Sequence, residues 1–433
     1  MTYDEENFPV LPKSWLVVTV ESASTILSVK EKIPVKNYLT TGNLAVIDQG
    51  AALIGGYTNQ GIAVTDQLPV VVFGDHTRAL KYIDFPFAAG ADGIKVLAPN
   101  ELFFPRAFFR FVQAIKLPDR GYARHYQHLR NSQIPLPPLN EQKRIADKLD
   151  AVLARADICR DRLDRIPAIL KRFRQSVLAS AIGGYLTEDW RSKYHLNEKW
   201  ERVRLNQVGE SRLGKMLDKN KNVGEETPYI RNINVRWFAI DLNDILSIRV
   251  TQDEKKKLAL IPGDVLICEG GEPGRCSIWK ESNSNFVYQK ALHRVRLGDK
   301  CIPEWFCYAL KHAADSEQLA AFFTGTTIKH LTGVALTNWE FLLPSVDEQT
   351  EIVRRVESLF AYADRMEARY NNARAQVEKL TSALLAKAFR GELVPQDPKD
   401  EPASELLARI HAQRNSPKEI TNKRIRSRKR GEQ

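Results

Sequence analysis

The sequence predicts an α+β protein: two globular mixed α/β domains joined by two long helices that form an antiparallel intramolecular coiled coil, built as an internal repeat about a pseudo-two-fold axis. Three observations carry this. The phrase LPPLNEQKRIADKLDAVLARAD, from Leu136 to Asp157, returns as LPSVDEQTEIVRRVESLFAYAD, from Leu343 to Asp364. Each phrase opens a stretch whose apolar residues recur at steps of three and four, the mark of a helix with one buried face. The blocks in front of the phrases carry short β-branched runs mixed with helical patterns.

The repeat holds without a gap well beyond the two phrases. Pro137 falls on Pro344, Glu141-Gln142 on Glu348-Gln349, Ile145 on Ile352, Ala156-Asp157 on Ala363-Asp364, Leu178-Ala179 on Leu385-Ala386, Gly184 on Gly391 and Leu186 on Leu393. At a second, shorter offset Leu11, Trp15, Val18 and Val20 fall on Leu196, Trp200, Val203 and Leu205. Such self-similarity means two copies of one frame. The chain then divides into a first variable domain at 1–136, a helical spacer at 137–187, a second variable domain at 188–343, a second spacer at 344–394, and a short helix with a basic tail at 395–433. The variable blocks barely resemble each other; GNLAVIDQGAALIGG from Gly42 echoes GDVLICEGGEPGR from Gly263 only loosely.

In the first spacer the apolar seam is Ile145, Leu149, Val152, Ala156, Cys159, Leu163, Ile166, Leu170, Phe173 and Val177. In the second it is Ile352, Val356, Leu359, Ala363, Met366, Tyr370, Ala373, Val377, Leu380 and Leu384. One apolar stripe on a charged helix must be covered. Two equal seams in one chain can cover one another as a coiled coil; the alternative is that each packs on its own neighbouring domain. Asn140 and Asp347 suit helix N-caps, and Gly184 and Gly391 suit left-handed stops. Helices of about 40 residues would measure roughly 60 Å. Pro167, opposite Arg374, costs a hydrogen bond inside a helix, so a kink or a restarted helix is expected there.

In the variable blocks WLVVTV, LPVVVFG and DVLICEG read as strands, and EWFCYALKHAADSEQLAAFF reads as helix. With 433 residues and 43% apolar content the chain can bury more than one core. No apolar run is long enough for a membrane span, and MTYDEENFPV is acidic where a secretory leader is basic, so a cytoplasmic protein is expected. Five cysteines without a C-x-x-C pair suggest buried thiols rather than a disulfide framework or a zinc site. The net charge of +11 favours a polyanionic partner, the alternative being a basic protein without one. Part of that charge lies in the tail RNSPKEITNKRIRSRKRGEQ, a composition that gives affinity for phosphate without choosing a sequence.

IPLPPLNEQKRIADKLD, ILKRFRQSVLASAIGGYLTEDW, DEQTEIVRRVESLFAYAD and LLAKAFRGELV, with VVFGDHTRALKYIDFPFAAGADGIKVL from Val71 to Leu97, resemble the DNA-specificity subunits of type I restriction-modification systems, the last three spacer motifs being similar to the enterobacterial first subfamily. The resemblance covers all but the basic tail. It implies that each variable block is a target-recognition domain reading one half of a bipartite, asymmetric site in double-stranded DNA. It also implies that the helices set the spacing and dock two methyltransferase subunits. Restriction/translocase subunits would join that core. S-adenosylmethionine, ATP and Mg²⁺ would be bound by other chains, leaving this one with no cofactor, no metal and no catalysis.

The residues fit that implication. An adenine methyltransferase needs an Asn/Asp-Pro-Pro-aromatic element, and none is present. EGGEPGRCSIWK, from Glu269 to Lys280, lacks the Gly-Lys-Ser/Thr ending of a phosphate loop and reads as a β-turn. GDHTR gathers Asp75, His76, Thr77 and Arg78 without a nucleophile or a second carboxylate at ligand spacing, so DNA contact or a structural turn remains. YIRNINVRW offers Arg231, Asn232, Asn234 and Arg236, and GTTIKHLTG offers Thr326, Thr327, Lys329 and His330. Arginine suits guanine, asparagine suits adenine, and lysine holds phosphate. GYARHYQHLR is a loose counterpart in the first block and adds Arg124, His125 and, elsewhere, Lys81. Surface or strand-end placement is the alternative for each. Two rival classes remain: a stand-alone DNA-modifying enzyme, and a coiled-coil scaffold that reads no sequence.

Overall fold

The computed structural model describes residues 10–415 except 92, 119–120, 122, 197–198, 219–221, 283–284 and 326–328. The basic tail from residue 416 onward lies outside the described residues. The chain folds as two compact units, one holding the chain up to Leu163 and again from Ala373, the other running from Asp164 to Asn372. Boundaries drawn from the repeat followed the variable and shared blocks; the units instead divide both shared blocks.

The first unit contains β1 (Leu16–Thr19), α1 (Val20–Ala23), β2 (Ser24–Leu27), β3 (Leu44–Ile47), β4 (Gly56–Thr58), β5 (Val70–Gly74), β6 (Leu80–Ile83), β7 (Phe87–Ala89), β8 (Ile94–Pro99), α2 (Pro105–Ala114), α3 (Tyr126–Asn131), β9 (Gln133–Leu136) and α4 (Leu139–Leu163). β1 and β9 pair antiparallel, Leu16 opposite Leu136, and so close the variable block on itself. Between them lie an antiparallel sheet of order β2-β8-β5-β6 and a mixed sheet of order β4-β3-β7. β5 reads VVVFG because all five residues are buried, and a strand covered on both faces needs apolar residues at every position. Pro105 opens α2, where a missing N–H costs nothing, and α2 buries Ala107, Phe108, Phe111 and Val112.

The second unit contains α5 (Ile166–Ile182), α6 (Glu188–Lys193), β10 (Glu201–Arg204), α7 (Leu205–Val208), β11 (Gly209–Leu213), β12 (Glu225–Ile230), β13 (Val235–Arg236), β14 (Ala239–Ile240), β15 (Leu246–Val250), α8 (Gln252–Leu258), β16 (Val265–Cys268), β17 (Cys276–Ile278), β18 (Val287–Tyr288), β19 (Leu292–Leu297), α9 (Pro303–Asp315), α10 (Gly333–Asn338) and β20 (Glu340–Leu343). β10 pairs with β20 as β1 does with β9. The sheets run β11-β19-β16-β17 and β15-β12-β18, the second again with one parallel pair, β12 with β18. The strand orders match those of the first unit. β3 therefore corresponds to β12 and β5 to β16. The echo between Gly42 and Gly263 pairs β3 with β16, which lie in non-equivalent sheets, so it is a coincidence of apolar strands ending in glycine.

The chain continues as α11 (Val346–Phe389), one unbroken helix of 44 residues, and α12 (Ala403–Asn415). The first spacer is broken: α4 stops at Leu163, Asp164 and Arg165 form a turn, and Pro167 sits in the first turn of α5. The helix restarts rather than kinks. Asn140 and Asp347 lie inside the first turns instead of capping them; the Ser345 hydroxyl accepts the Glu348 N–H at 3.3 Å. Gly184 and Gly391 do provide left-handed stops, at φ of 77° and 76°.

Ile145, Leu149, Ala156, Leu170, Val177, Ile352, Val356, Ala363 and Tyr370 of the predicted seam are buried. Val152, Leu163, Ile166, Phe173, Leu359, Met366, Ala373, Val377 and Leu384 are half-buried. Leu380, at 46% exposed, and Cys159 depart from it. Within the second unit α5 and the first half of α11 run antiparallel. The Phe173 ring meets Tyr362 at 6.5 Å and Arg174 reaches Asp364 and Glu367, whereas farther along the chain Asp189 meets Arg355 and Thr187 meets Glu348. In the first unit Leu149 and Leu153 join one core with Leu384, Leu385, Ala388, Phe389 and the α12 residues Ala403, Leu406 and Ile410. Of the cysteines other than Cys159, all are buried, and Cys276, Cys301 and Cys307 share one core.

The repeated Glu-Gln pair is the joint of each frame. The indole of Trp15 donates to Glu141 at 2.8 Å, and the indole of Trp200 donates to Glu348 at 2.8 Å. Burial raises the pKa of Glu141, opposed by the hydrogen bonds from Trp15 and Gln396. Gln142 accepts the N–H of Phe104 at 2.7 Å and donates to the carbonyls of Leu102 and Pro137. Gln349 accepts the N–H of Ile302 at 2.8 Å and donates to Lys300 and Pro344. Phe104 and Ile302 are the residues that lead into α2 and α9. Each glutamine thus ties the helix start of a shared block to a helix of a variable block.

Candidate nucleic-acid interface

In each unit three loops converge at one end of the two small sheets. In the first unit they are the residues after β3, the hairpin between β5 and β6, and the stretch before α3. The Thr77 hydroxyl donates to the Gln49 carbonyl at 2.5 Å, and the Lys81 ammonium donates to the Asp48 carbonyl at 2.8 Å. Burial pulls the Lys81 pKa below its usual 10.5, with Asp48 opposing. The His125 N–H donates to the Asp75 carbonyl at 2.9 Å, and the Asp75 carboxylate accepts the Tyr126 N–H at 2.8 Å, which starts α3. Gly93, at φ 101°, lets Gln49 pass: a Cβ there would sit 2.7 Å from its amide oxygen.

In the second unit the loops are the residues after β12, the hairpin between β16 and β17, and the stretch before α10. Asn232 donates from its amide to the Gly270 carbonyl at 2.8 Å. Arg275 donates to the Asn232 amide oxygen at 2.8 Å. The Leu331 N–H donates to the Glu269 carbonyl at 2.8 Å, matching the bond from His125 to Asp75. Buried His293 contacts the Leu331 carbonyl at 3.1 Å, and burial lowers its pKa. His125 of GYARHYQHLR and Leu331 of GTTIKHLTG thus occupy equivalent places, and Asn232 of YIRNINVRW joins the glycine-rich hairpin.

The fold sorts the predicted contact residues. Thr77, Arg78, Arg124, Arg236 and Lys329 are exposed, and His76, Arg231, Asn232 and His330 are half-buried. Asp75, Lys81, His125 and Asn234 are buried. Their polar atoms serve the turns themselves: Asn234 accepts the Arg231 N–H at 2.9 Å and donates to the carbonyls of Asp241 and Asp244. Burial at turns and strand ends, where polar groups satisfy nearby backbone, is the alternative that the sequence left open for these residues. Arg231 pairs with Asp244 at 2.6 Å. Thr326 and Thr327 lie outside the described residues. The residues that the sequence reading missed are Asp48, Gln49 and the hairpin Glu269–Arg275. A buried apolar strand that ends in a polar, glycine-bearing turn was the available signal.

The model of the type I restriction modification DNA specificity domain matches this chain twice, at residues 12–168 and 197–373, once per copy of the frame. The chain belongs to this family. It is 30% identical to the type I restriction enzyme EcoKI specificity subunit of Escherichia coli K12 over 93% of this chain and 96% of that one. It is 34% identical to the EcoBI specificity subunit of Escherichia coli over 73% of this chain and 72% of that one. The HsdS subunit of Thermoanaerobacter tengcongensis shares the fold at TM-score 0.53 and 20% identity, over 88% of this chain and 98% of that one. A chain from a structure titled for complex assembly and conformational transition of the type I R-M system shares it at TM-score 0.66 and 20% identity, over 89% and 100%. The family's role is DNA recognition. Among the described residues no helix is long and apolar enough to cross a membrane, and no group of three or more His, Cys, Asp and Glu could hold a metal ion.

Proposed function

We propose that the chain is the sequence-reading subunit of a cytoplasmic type I restriction-modification complex, with each unit's converging loops reading one half of a bipartite, asymmetric site in double-stranded DNA. The helical blocks set the spacing between the halves and dock two methyltransferase subunits, and restriction/translocase subunits complete the assembly. One observation carries this reading: two frames with the same strand order and the same Trp-Glu-Gln joint hold loops of unrelated sequence. Two copies of one scaffold with different loops are what two different half-sites require.

The reading leaves catalysis, S-adenosylmethionine, ATP and Mg²⁺ to the other subunits. Supporting it, the glycine-rich hairpin joins two antiparallel strands rather than opening a helix, so it lacks the helix N-terminus that cradles a nucleotide phosphate. Asp75 and His125 are buried supports rather than an acid and a base at a cleft.

The test is to assemble the chain with its methyltransferase subunits and to select from randomised duplex DNA. The expected result is enrichment of two short blocks separated by an unconstrained spacer. One continuous block, or no enrichment, would overturn the proposal.

A further inference from the structure

The hairpin EGGEPGR, Glu269 to Arg275, is held in place from several sides. Asn232 donates to the Gly270 carbonyl, and Arg275 returns to Asn232 at both its amide oxygen, 2.8 Å, and its main-chain carbonyl, 3.2 Å. Glu272 accepts from the indole of Trp237 at 2.6 Å and from Arg275 at 3.1 Å. The Lys311 ammonium stands 4.8 Å from the centre of the Trp237 ring. On the opposite side the Leu331 N–H holds the Glu269 carbonyl, and Thr324 and His330 bridge the mouth of the next loop. A Cβ on Gly270 would come within 3.2 Å of the His330 ring, so glycine is what lets the imidazole lie on the hairpin.

This geometry divides the local polar residues into two kinds. The Asn232 amide gives one N–H to Gly270 and its oxygen accepts from Arg275, so both ends of the amide are engaged in holding the hairpin. Arg275 turns its guanidinium inward to the same partners. Gly271, Glu272 and Lys329 are exposed on the surface so fixed, with His330 half-exposed beside them. Lys329 and His330 are groups suited to DNA, an ammonium for a phosphate and an imidazole at a base edge, whereas both oxygens of Glu272 are engaged by Trp237 and Arg275. Loops ordered before binding lose less entropy when they bind.

We infer that the hairpin Glu269–Arg275, with Lys329 and His330, is the DNA-contact surface of the second unit, and that Asn232 and Arg275 are positioning residues beneath it. The inference rests on the proposal that the second unit reads a half-site. In the first unit the equivalent places hold Thr77, Arg78 and Arg124, as a different half-site demands.

The experiment uses the full chain assembled with its methyltransferase subunits. Binding is measured against the preferred site and single-base variants of each half, over a range of salt. Lys329→Ala, an exposed change that leaves the packing alone, should make the slope of log affinity against log salt shallower by about 0.9 while the preferred letters of both halves stay the same. Asn232→Ala should cost about tenfold or more in discrimination within one half only, with the salt slope and the other half unchanged. Loss of stability alone would weaken all sequences together and would not produce that split. An unchanged slope in the first variant, or intact discrimination in the second, would overturn the inference while leaving the two-reader proposal standing. A parent complex without bipartite preference would overturn both.

Discussion

Replacing Gln349 by leucine removes one hydrogen bond to the Ile302 N–H and two to the carbonyls of Lys300 and Pro344, all between 2.8 and 2.9 Å. Gln349 is fully buried, so water does not replace the lost partners. An orphaned buried donor costs about 1–3 kcal/mol, and carbonyls with a spare lone pair less, giving roughly 3–5 kcal/mol for the set. The apolar leucine side chain returns about 1–2 kcal/mol, so the second unit should lose roughly 2–3 kcal/mol. Hydrogen exchange of the intact chain reads this directly. The Ile302 amide and the first turn of α9 should exchange about 30-fold to 150-fold faster, a factor of ten for each 1.4 kcal/mol, and amides of the first unit should not change. Gln142→Leu should reproduce the effect at Phe104 and α2. Retained protection at Ile302 would refute the claim that the repeated glutamine is a joint of the frame.

Hydrogen bonds from Arg354 and then Arg355 hold the Glu351 carboxyl at about 2, against an ordinary 4.5. A depressed folded value stabilises above the unfolded pKa and is lost as pH falls through the folded one, so Glu351→Gln should flatten stability between about pH 4.5 and 2, measured by acid unfolding. Truncation after Pro402 uncovers the core face that Leu406 and Ile410 fill. It should destabilise the first unit by about 3–5 kcal/mol and spare the second, as read by hydrogen exchange. Thr187 and Arg191 both hold Glu348, so a test of the spacing leaves that joint intact. Four residues added both in the turn after Leu163 and between Asn372 and Ala373 lengthen the helical blocks by about 6 Å. The preferred spacer should grow by one to two base pairs at about 3.4 Å each, with unchanged half-sites, in maps of methylated genomic positions.

The frame was legible in the sequence because its parts are single-copy words repeated in order: Trp15 and Trp200, Glu141-Gln142 and Glu348-Gln349, Gly184 and Gly391. That the tryptophan of one anchor meets the glutamate of the other was not legible, since the two offsets differ and only the folded chain closes them. The common topology of the readers was also hidden. Buried strands such as VVVFG and VLIC need only apolar residues, so equivalent strands share little beyond apolar character. The exposure of the candidate contact residues was half legible. Lys329 and Arg124 were picked by charge and are exposed, whereas Asp75, His125 and Asn234 were picked for the same polarity and are buried. Sequence alone does not tell a side chain that serves its own turn from one that faces solvent.

The central claim is that two independent readers sit in one repeated frame, and a domain exchange tests it. The segment from Val20 to Ser132, bounded by β1 and β9, is replaced by the corresponding segment of another family member, which leaves Trp15, Glu141 and Gln142 in place. The methylated genomic sites of the assembled complex are then sequenced. One half-site should change to the donor's letters while the other half-site and the spacer length stay as they were. A change in both halves, or retention of both, would contradict the account.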